Sequence, residues 1–368
     1  MAGVELDFND KIVIAQALDD LGVDIIEAGF PASSELDKKV TRLISREVSR
    51  ARIAGLARAN AFDVDEAAAS EVHVIHVFIA TSDIHIKYKL SSTREKVIEA
   101  AVDAVERARS YGVDVLFSAE DATRSDPSYL VKVYKSVVDT GVDYINIPDT
   151  VGVMTPWSME NLVRRIIQAM PRNRDIRVDV HCHNDFGMAT ANSIAGIMGG
   201  ADGVQVTVNG FGERGGNAAL EEVVASIHFQ LGYSTNINLQ MLTPVSRLVA
   251  DRFKIKMPPN KAITGLNAFA HEAGIHVHGV LNNPLTYEPI LPESVGNRRR
   301  IVLGRHSGKA AVEYTLKQLG VEPSRGLVKH VLRKLKEVAP KVKKVDEDMI
   351  ISWIREYDVE LGVHVQDA

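Results

Sequence analysis

The chain has 368 residues, of which 45% are hydrophobic and 25% charged, and its formal net charge is −5. This length suits one large α/β barrel with a smaller appendage. The charge balance disfavours nucleic-acid binding, no stretch reaches the roughly 18 apolar residues of a membrane helix, and the acidic start lacks a signal-type apolar core. The single cysteine, Cys182, excludes an intrachain disulfide. These features favour a cytoplasmic enzyme.

A repeated alternation of strand and helix patterns runs through the first part of the chain. Short β-branched apolar runs are separated by amphipathic helical patterns, with roughly 20–35 residues from one strand to the next, as βα units require. Two of the helices are predicted at Thr93–Tyr111 and Pro127–Thr140. The predicted strands are Val23–Gly29, Arg52–Arg58, Val72–Ala80, Val113–Ala119, Tyr144–Pro148, Arg177–His183 and Gly203–Asn209.

These strands number seven, one fewer than a closed parallel barrel requires. The first helix, Phe8–Leu21, begins close to the N-terminus with no strand pattern before it. The sequence therefore predicts an α/β fold, a TIM (β/α)8 barrel that lacks its first strand. An open doubly wound sheet is the alternative, but the turn EAGFPASS after the first predicted strand has no nucleotide-binding glycine fingerprint.

The βα rhythm stops near Tyr233, and the remaining chain reads as an appendage. We predict a barrel domain over residues 1–237, an irregular linker subdomain over 238–308 and a helical subdomain over 309–368. The helices expected in the last part are Lys309–Leu319, Arg325–Val338 and Asp346–Glu356.

Polar residues collect where the predicted strands end, which is where catalytic groups lie in a TIM barrel. In VDVHCHNDFG, His181 and His183 are two apart on a strand, so their side chains point to one face and Cys182 to the other. Two imidazoles at a strand end form half of a divalent-metal site, and Asp185 is a candidate to orient one of them. The alternative is a pair of structural histidines.

The segment TVNGFGERGGN follows the last predicted strand. Its glycines allow close approach of the backbone to a ligand, and the amide oxygen of Asn217 is a hard ligand suited to an oxophilic cation. A plain βα turn is the alternative.

Two further strand ends carry weaker signals. FSAEDATRSD contributes Ser118 and Glu120, and INIPDTVG contributes Asn146 and Thr150. An ion pair at the surface explains the charged residues of the first motif equally well. His76 lies on the strand in VHVIHVFIATS and is either a site residue or a hydrogen-bonded core histidine.

In the appendage, NAFAHEAGIHVHG has four titratable residues, including His271 and His276. The segment HEAGIH is similar to the zinc-protease motif HExxH, but its spacing differs and Gly274 is expected to interrupt a helix. A zinc-protease function is therefore rejected.

Seven motifs together resemble the 2-isopropylmalate, citramalate and homocitrate synthase family, whose barrel is of the DRE-TIM metallolyase type. They are EAGFP, FSAEDATRSD, INIPDTVG, HCHNDFGMATAN, NGFGERGGNAALEEV, NAFAHEAGIHVHGV and VGNRRRIVLGRHSG. The resemblance runs from about Gly3 to Gly320. It implies catalytic roles for Glu120, His276 and Tyr287, contacts to a 2-oxo acid by His76, Ser118, Asn146 and Thr150, and metal coordination by His181, His183 and Asn217.

The same resemblance implies an acyltransferase that condenses acetyl-CoA with a 2-oxo acid in a Claisen-type reaction followed by thioester hydrolysis. A divalent Mg²⁺, Mn²⁺ or Zn²⁺ ion acts as the Lewis acid, and a histidine suits proton transfer. We favour 2-oxoisovalerate as the substrate, which gives 2-isopropylmalate in leucine and branched-chain amino-acid biosynthesis. Citramalate and homocitrate synthases are the alternatives. The resemblance also implies a homodimer whose active site is shared between chains.

The start of the chain departs from the family pattern, and other enzymes share the same barrel. Family members begin with a strand of the type DTTLRDGEQ, which supplies an arginine and a metal-ligand aspartate. The present sequence opens with residues that match those just after it, so we expect either an upstream start or a poorly active chain, including an inactive paralogue that only binds the 2-oxo acid. Lyases and carboxyltransferases share the barrel, but the NAFAHEAGIHVHG appendage argues against them.

Overall fold

The computed structural model describes residues 1–171, 175–342 and 344–360. The chain forms two compact units, Met1–Lys256 and Met257–Ala368. Within the described ranges, none of the helices is both long and apolar enough to cross a lipid bilayer. The three-part domain division made from the sequence stays a prediction.

The first unit is built on one parallel sheet whose strands follow one another in sequence order. The strands are β1 Ile25–Gly29, β2 Arg52–Arg58, β3 Val74–Ala80, β4 Asp114–Glu120, β5 Tyr144–Asp149, β6 Arg177–Cys182 and β7 Gly203–Gln205. The predicted fold is confirmed. Strand β7 is shorter than predicted because Asn209 adopts φ 62° in the turn Val208–Gly210, which an extended strand cannot continue through.

The sheet curls around a cavity of about 1490 Å³ that is lined by residues from all seven strands. Strands β1 and β7 are the two edges, and in the part of the chain that the structure describes neither pairs with a further strand on its outer side. The curled sheet is thus an incompletely closed barrel with seven strands, as the sequence predicted.

Ten helices of the described ranges accompany this sheet, and one apolar core packs the first nine of them against it. They are α1 Phe8–Leu21, α2 Glu35–Glu47, α3 Ala61–Ala69, α4 Asp83–Tyr88, α5 Arg94–Arg109, α6 Pro127–Thr140, α7 Pro156–Ala169, α8 Ala189–Met198, α9 Leu220–Phe229 and α10 Leu242–Arg252. Helix α1 begins with a capping box between Asp7 and Asp10 and ends at Gly22 in the left-handed conformation. The outward side chains of the strands, for example Val180 and Cys182 of β6, are buried against the helices.

The second unit contains a short parallel pair of strands and four helices among its described residues. The strands are β8 Ala270–His271 and β9 Arg300–Ile301, and the helices are α11 Gly274–Asn282, α12 Lys309–Gln318, α13 Arg325–Val338 and α14 Glu347–Glu360. Helices α12, α13 and α14 share an apolar core that includes Leu316, Val331 and Trp353.

One expectation about the second unit was wrong. Gly274 does not interrupt a helix, because it is the first residue of α11. The conformational-entropy cost of a glycine inside a helix therefore does not arise at this position. His271 and His276 consequently lie on different elements, β8 and α11, so the HEAGIH segment does not form the single helix that an HExxH site needs.

Candidate active site at the carboxyl ends of the strands

Two imidazoles and one amide converge at the end of β6. The Nε2 atoms of His181 and His183 lie 3.2 Å apart, and Asn217 Nδ2 lies 3.1 Å from His181 Nε2. The alternation of the strand produces this pairing, since Cys182 between the histidines is buried in the core on the other face. The structure therefore brings together the three residues predicted as metal ligands.

The glycine-rich loop after β7 holds Asn217 in place. Asn217 forms an antiparallel bridge with His183. A Cβ atom on Gly212 would lie 1.7 Å from Asn217 Oδ1, and one on Gly216 would lie 2.1 Å from the carbonyl oxygen of Gly210. Side chains at these two positions would displace the amide, which explains why the loop is richer in glycine than a plain turn requires.

The electrostatic environment keeps both imidazoles neutral. Burial lowers the pKa of His181 to about 4, and the nearby His183 adds to this effect. Burial and the Arg214 guanidinium lower the pKa of His183 as well. Neutral imidazoles at pH 7 offer the lone pairs that a divalent cation needs.

This donor set fits a metal ion with two protein nitrogens and a neutral amide. The amide of Asn217 presents its oxygen after a half-turn about its terminal bond. Within the described ranges no group of three or more His, Cys, Asp or Glu side chains is arranged to hold a metal ion. The donor atoms that converge here belong to the two imidazoles and the amide, and Asp185 is paired with Arg214 at 2.7 Å rather than with a histidine.

A row of hydrogen-bonded side chains crosses the interior of the barrel beside this centre. His76 Nε2 lies 2.6 Å from Ser118 Oγ, and Asn146 Nδ2 donates to the same oxygen at 2.8 Å. All three side chains are buried. At the other end of the row, His76 Nδ1 contacts the carboxylate of Glu27 on β1. Sequence reasoning found the first three residues and missed Glu27, although EAGFP stands at a predicted strand end.

Glu120 ends β4 and is paired with a lysine that the sequence analysis did not identify. Lys89 Nζ lies 2.5 Å from Glu120 Oε1 and 2.7 Å from Oε2. Lys89 follows the short helix α4, so its only signal in the sequence was a positive charge in a βα connection. Thr150 Oγ1 accepts a 2.9 Å hydrogen bond from the backbone N–H of Asp121, which joins the ends of β4 and β5.

The remaining two predicted catalytic residues stack on each other in the second unit. The rings of His276 and Tyr287 are 4.1 Å apart with an interplanar angle of 23°. A Cβ atom on Gly279 would lie 2.9 Å from Tyr287 Cε2, so the tyrosine ring packs on α11 only because that position has no side chain. Both aromatic side chains are exposed.

The parallel barrel, with polar side chains gathered at one end of its strands, defines an enzyme of the (β/α)-barrel class. The sequence profile of the HMGL-like family matches residues 1–249. A second profile, described as homocitrate synthase post-HMGL domain-like, matches residues 263–343. The chain belongs to the HMGL-like family.

Named relatives match nearly the whole chain. A protein of Ignicoccus hospitalis named probable 2-isopropylmalate synthase is 53% identical over 95% of this chain and 86% of its own length. An (R)-citramalate synthase of Methanocaldococcus jannaschii is 47% identical over 96% of this chain and 71% of its own. The predicted synthase family is confirmed by these matches.

A solved structure supports the fold independently. The HMG-CoA lyase of Bacillus subtilis superposes with a TM-score of 0.62 over 70% of this chain and 90% of its own, at 19% identity. At this identity the likeness supports only the barrel architecture.

Proposed function

We propose that this protein is an acyltransferase that condenses acetyl-CoA with a 2-oxo acid, with 2-oxoisovalerate as the favoured substrate and 2-isopropylmalate as the product. The observation that carries the chemistry is the pair of neutral imidazoles, His181 and His183, with Asn217 beside them. The substrate is proposed from the names of the relatives. The (R)-citramalate synthase relative at 47% identity favours pyruvate as the second candidate.

His181, His183 and Asn217 would hold a divalent Mg²⁺, Mn²⁺ or Zn²⁺ ion. When bound, such an ion supplies Lewis-acid polarisation of the 2-oxo acid. Desolvation of the His181 ring lowers its pKa to about 4, which keeps the imidazole in the neutral form that can bind a metal ion.

The other residues of the chain bind and orient the substrates in this proposal. His76, Ser118, Asn146 and Thr150 contact the 2-oxo acid. Hydrogen bonds among the first three, and the hydrogen bond from the backbone N–H of Asp121 to Thr150, fix these side chains before the substrate arrives. In the condensation a methyl proton of acetyl-CoA is removed, a carbon–carbon bond forms to the carbonyl carbon, and water then hydrolyses the thioester to release CoA.

Glu120, His276 and Tyr287 are the proposed catalytic residues for the proton transfers. The Tyr287 ring lies flat on the His276 imidazole and so restricts its rotation. Lys89 compensates the charge of Glu120 and holds its carboxylate at the end of β4. A positioned acid or base of this kind contributes about 10²–10⁴-fold to a rate.

We also propose a homodimer in which the second unit of one chain covers the barrel end of its partner. Each unit separately exposes large apolar side chains, including Trp157 and Phe186 in the first and Ile275 and Leu285 in the second. Mixing a His183→Ala chain with a His276→Ala chain tests this arrangement. Recovery of up to about a quarter of normal turnover in the equimolar mixture, where about half of the dimers are mixed and each mixed dimer has one intact site, would support it. No recovery above the sum of the two variants would count against it.

The proposed reaction is tested by measuring CoA thiol release from acetyl-CoA with a panel of 2-oxo acids and one divalent metal at a time. We expect the highest kcat/KM with 2-oxoisovalerate, and a highest value with pyruvate would instead select the citramalate candidate. Release that depends on 2-oxoglutarate would select homocitrate synthase. Cleavage of hydroxymethylglutaryl-CoA without any synthase activity, or calorimetric 2-oxo acid binding without turnover, would contradict the proposal.

A further inference from the structure

When His76 is neutral, the count of protons gives the hydrogen-bonded row inside the barrel one direction. Asn146 Nδ2 can only donate, so Ser118 Oγ accepts from it at 2.8 Å. The hydroxyl then has one proton left, and the nitrogen within reach is His76 Nε2 at 2.6 Å. A neutral His76 that accepts at Nε2 carries its proton on Nδ1, which faces Glu27.

The carboxylate of Glu27 is suited to receive that proton as a hydrogen-bond acceptor. Enclosure in the barrel acts to raise the pKa of Glu27, but its electrostatic interaction and hydrogen bond with His76 outweigh this effect, so the pKa lies below its usual range. The carboxylate is therefore ionised at neutral pH and has no proton to donate. Its contact with Nδ1 disfavours the other neutral tautomer, in which two lone pairs would face each other.

We propose that Glu27 is a positioning residue of the active site, which fixes the tautomer of His76 and through it the hydroxyl of Ser118 and the amide of Asn146. The inference rests on the proposed function for its effect on turnover. The contact joins residues that are distant in the sequence, because Glu27 and His76 are 49 positions apart. They lie on β1 and β3, with β2 between them. Glu27 also lines the barrel cavity, and its side chain is 47% exposed.

The far end of the row supports a role in ligand binding. Asn146 is 2% exposed, and its Oδ1 atom has no hydrogen-bond partner in the described part of the chain. A buried acceptor left unpaired costs about 1–3 kcal/mol, so this atom is suited to a donor from water or a bound ligand. Because Nδ2 is held by Ser118, the carbonyl can point in only one direction. Replacing Glu27 would remove the contact that holds His76 at the other end of the row.

The first arm of the test is independent of activity. Long-range proton–nitrogen NMR spectra of the full chain with ¹⁵N-labelled histidine are compared with those of a His76→Asn variant, which assigns the His76 signals. We expect the Nδ1–H tautomer in the unaltered chain and in Glu27→Asp, and a mixture of tautomers in Glu27→Gln. An Nε2–H tautomer in the unaltered chain would overturn the proposal, even where Glu27→Gln fails to fold.

The second arm measures turnover with the 2-oxo acid that the panel selects. Glu27→Gln should lower kcat by about 10- to 100-fold with KM changed by less than about 3-fold, and Glu27→Asp should restore part of the loss. The matched control is Glu71→Gln, an exposed carboxylate paired with Arg46 at the surface, which should leave kcat unchanged. Unchanged kcat and unchanged tautomer in a folded Glu27→Gln would overturn the proposal. Absence of turnover in every chain would contradict the proposed function alone, because the NMR arm still decides the role of Glu27.

Discussion

The two ends of the curled sheet carry different kinds of polar side chain. At the carboxyl ends of the strands, neutral imidazoles, an amide and a row of buried hydrogen bonds converge. At the amino ends, charged groups pair with each other or with the backbone. There Arg52 contacts Asp114 and the Tyr144 hydroxyl, and the carboxylate of Asp19 accepts from the residues that lead into β2.

This contrast shows how a parallel barrel separates stability from chemistry. At the amino ends, the Arg52 guanidinium is satisfied by Asp114, the Tyr144 hydroxyl and the carbonyl oxygen of His73. The carboxyl end instead contains atoms whose partners are missing among the described residues, such as Asn146 Oδ1. Substitutions at the carboxyl end should therefore change turnover, and those at the amino end should change the free energy of unfolding.

The largest expected effect is at the carboxyl end, in His181→Ala. Removing one of two imidazoles should lower turnover by more than about 100-fold, because the loss of even an outer-sphere partner of a metal ligand costs 10- to 100-fold. The unfolding transition should change little. Steady-state kinetics and metal analysis check this, with the exposed His228→Ala as a matched control. Full turnover with one bound metal per chain would remove His181 from the site.

The second expected effect is at the amino end, in Asp19→Asn. The carboxylate accepts from the N–H groups of Ser49, Arg50 and Ala51, and replacing it should lower the free energy of unfolding by about 2–3 kcal/mol. Denaturant unfolding measures the difference, and kcat should stay within about 2-fold of normal. The control is Asp20→Asn at the exposed neighbouring position. Equal stability of the two variants would contradict the account.

The same carboxylate predicts a pH dependence of stability. Burial raises the pKa of Asp19, but the hydrogen bonds from Ala51, Ser49 and Arg50 outweigh it, so the folded pKa is lowered. Its contribution is therefore complete above the unfolded value of 3.8 and is lost as the pH falls through the lower folded value. Unfolding curves between about pH 6 and pH 3 should converge for the unaltered chain and Asp19→Asn as the pH falls.

A smaller effect is expected in Lys89→Met at the carboxyl end. Losing the pair with Glu120 should lower kcat/KM by about 10-fold, which corresponds to about 1.4 kcal/mol for one charge-assisted contact. Stability should change by less than about 0.5 kcal/mol because the lysine is largely exposed. Lys87→Met, in the preceding helix α4, is the control. A loss of stability without loss of kcat/KM would place Lys89 with the structural ion pairs.

The smallest effect is expected in Arg52→Gln at the amino end. The pair with Asp114 is more than a third exposed on both sides, so solvent screening limits its contribution to less than about 1 kcal/mol. Turnover should stay unchanged, and the difference in unfolding free energy should shrink further in high salt. A loss of turnover above about 5-fold would contradict the claim that side chains at the amino ends affect stability and not turnover.

Much of the barrel follows from local sequence patterns. The period-two alternation of VDVHCH placed His181 and His183 on one face, and helices α1, α6 and α13 begin and end at the predicted residues. These features depend on neighbours within a few positions, which a single sequence displays. The early end of β7 depended on the left-handed turn at Asn209, which the apolar pattern does not reveal.

The contacts that complete the candidate site lie between distant segments. Glu27 meets His76 across 49 positions, and Lys89 meets Glu120 across 31. These contacts depend on the register of the strands and on the curl of the sheet, which together set the distance between the paired side chains. A single sequence contains no pattern that links two such distant residues. The residue types were visible, but their partners were not.

The central claim is that His181 and His183 bind the same divalent ion. Electron spin-echo measurements on the Mn²⁺-loaded chain test it directly, because imidazole nitrogens bound to Mn²⁺ modulate the echo. We predict modulation from two histidine nitrogens in the unaltered chain and from one in His183→Ala. Bound Mn²⁺ that shows no nitrogen modulation, or modulation unchanged in both His181→Ala and His183→Ala, would contradict the account.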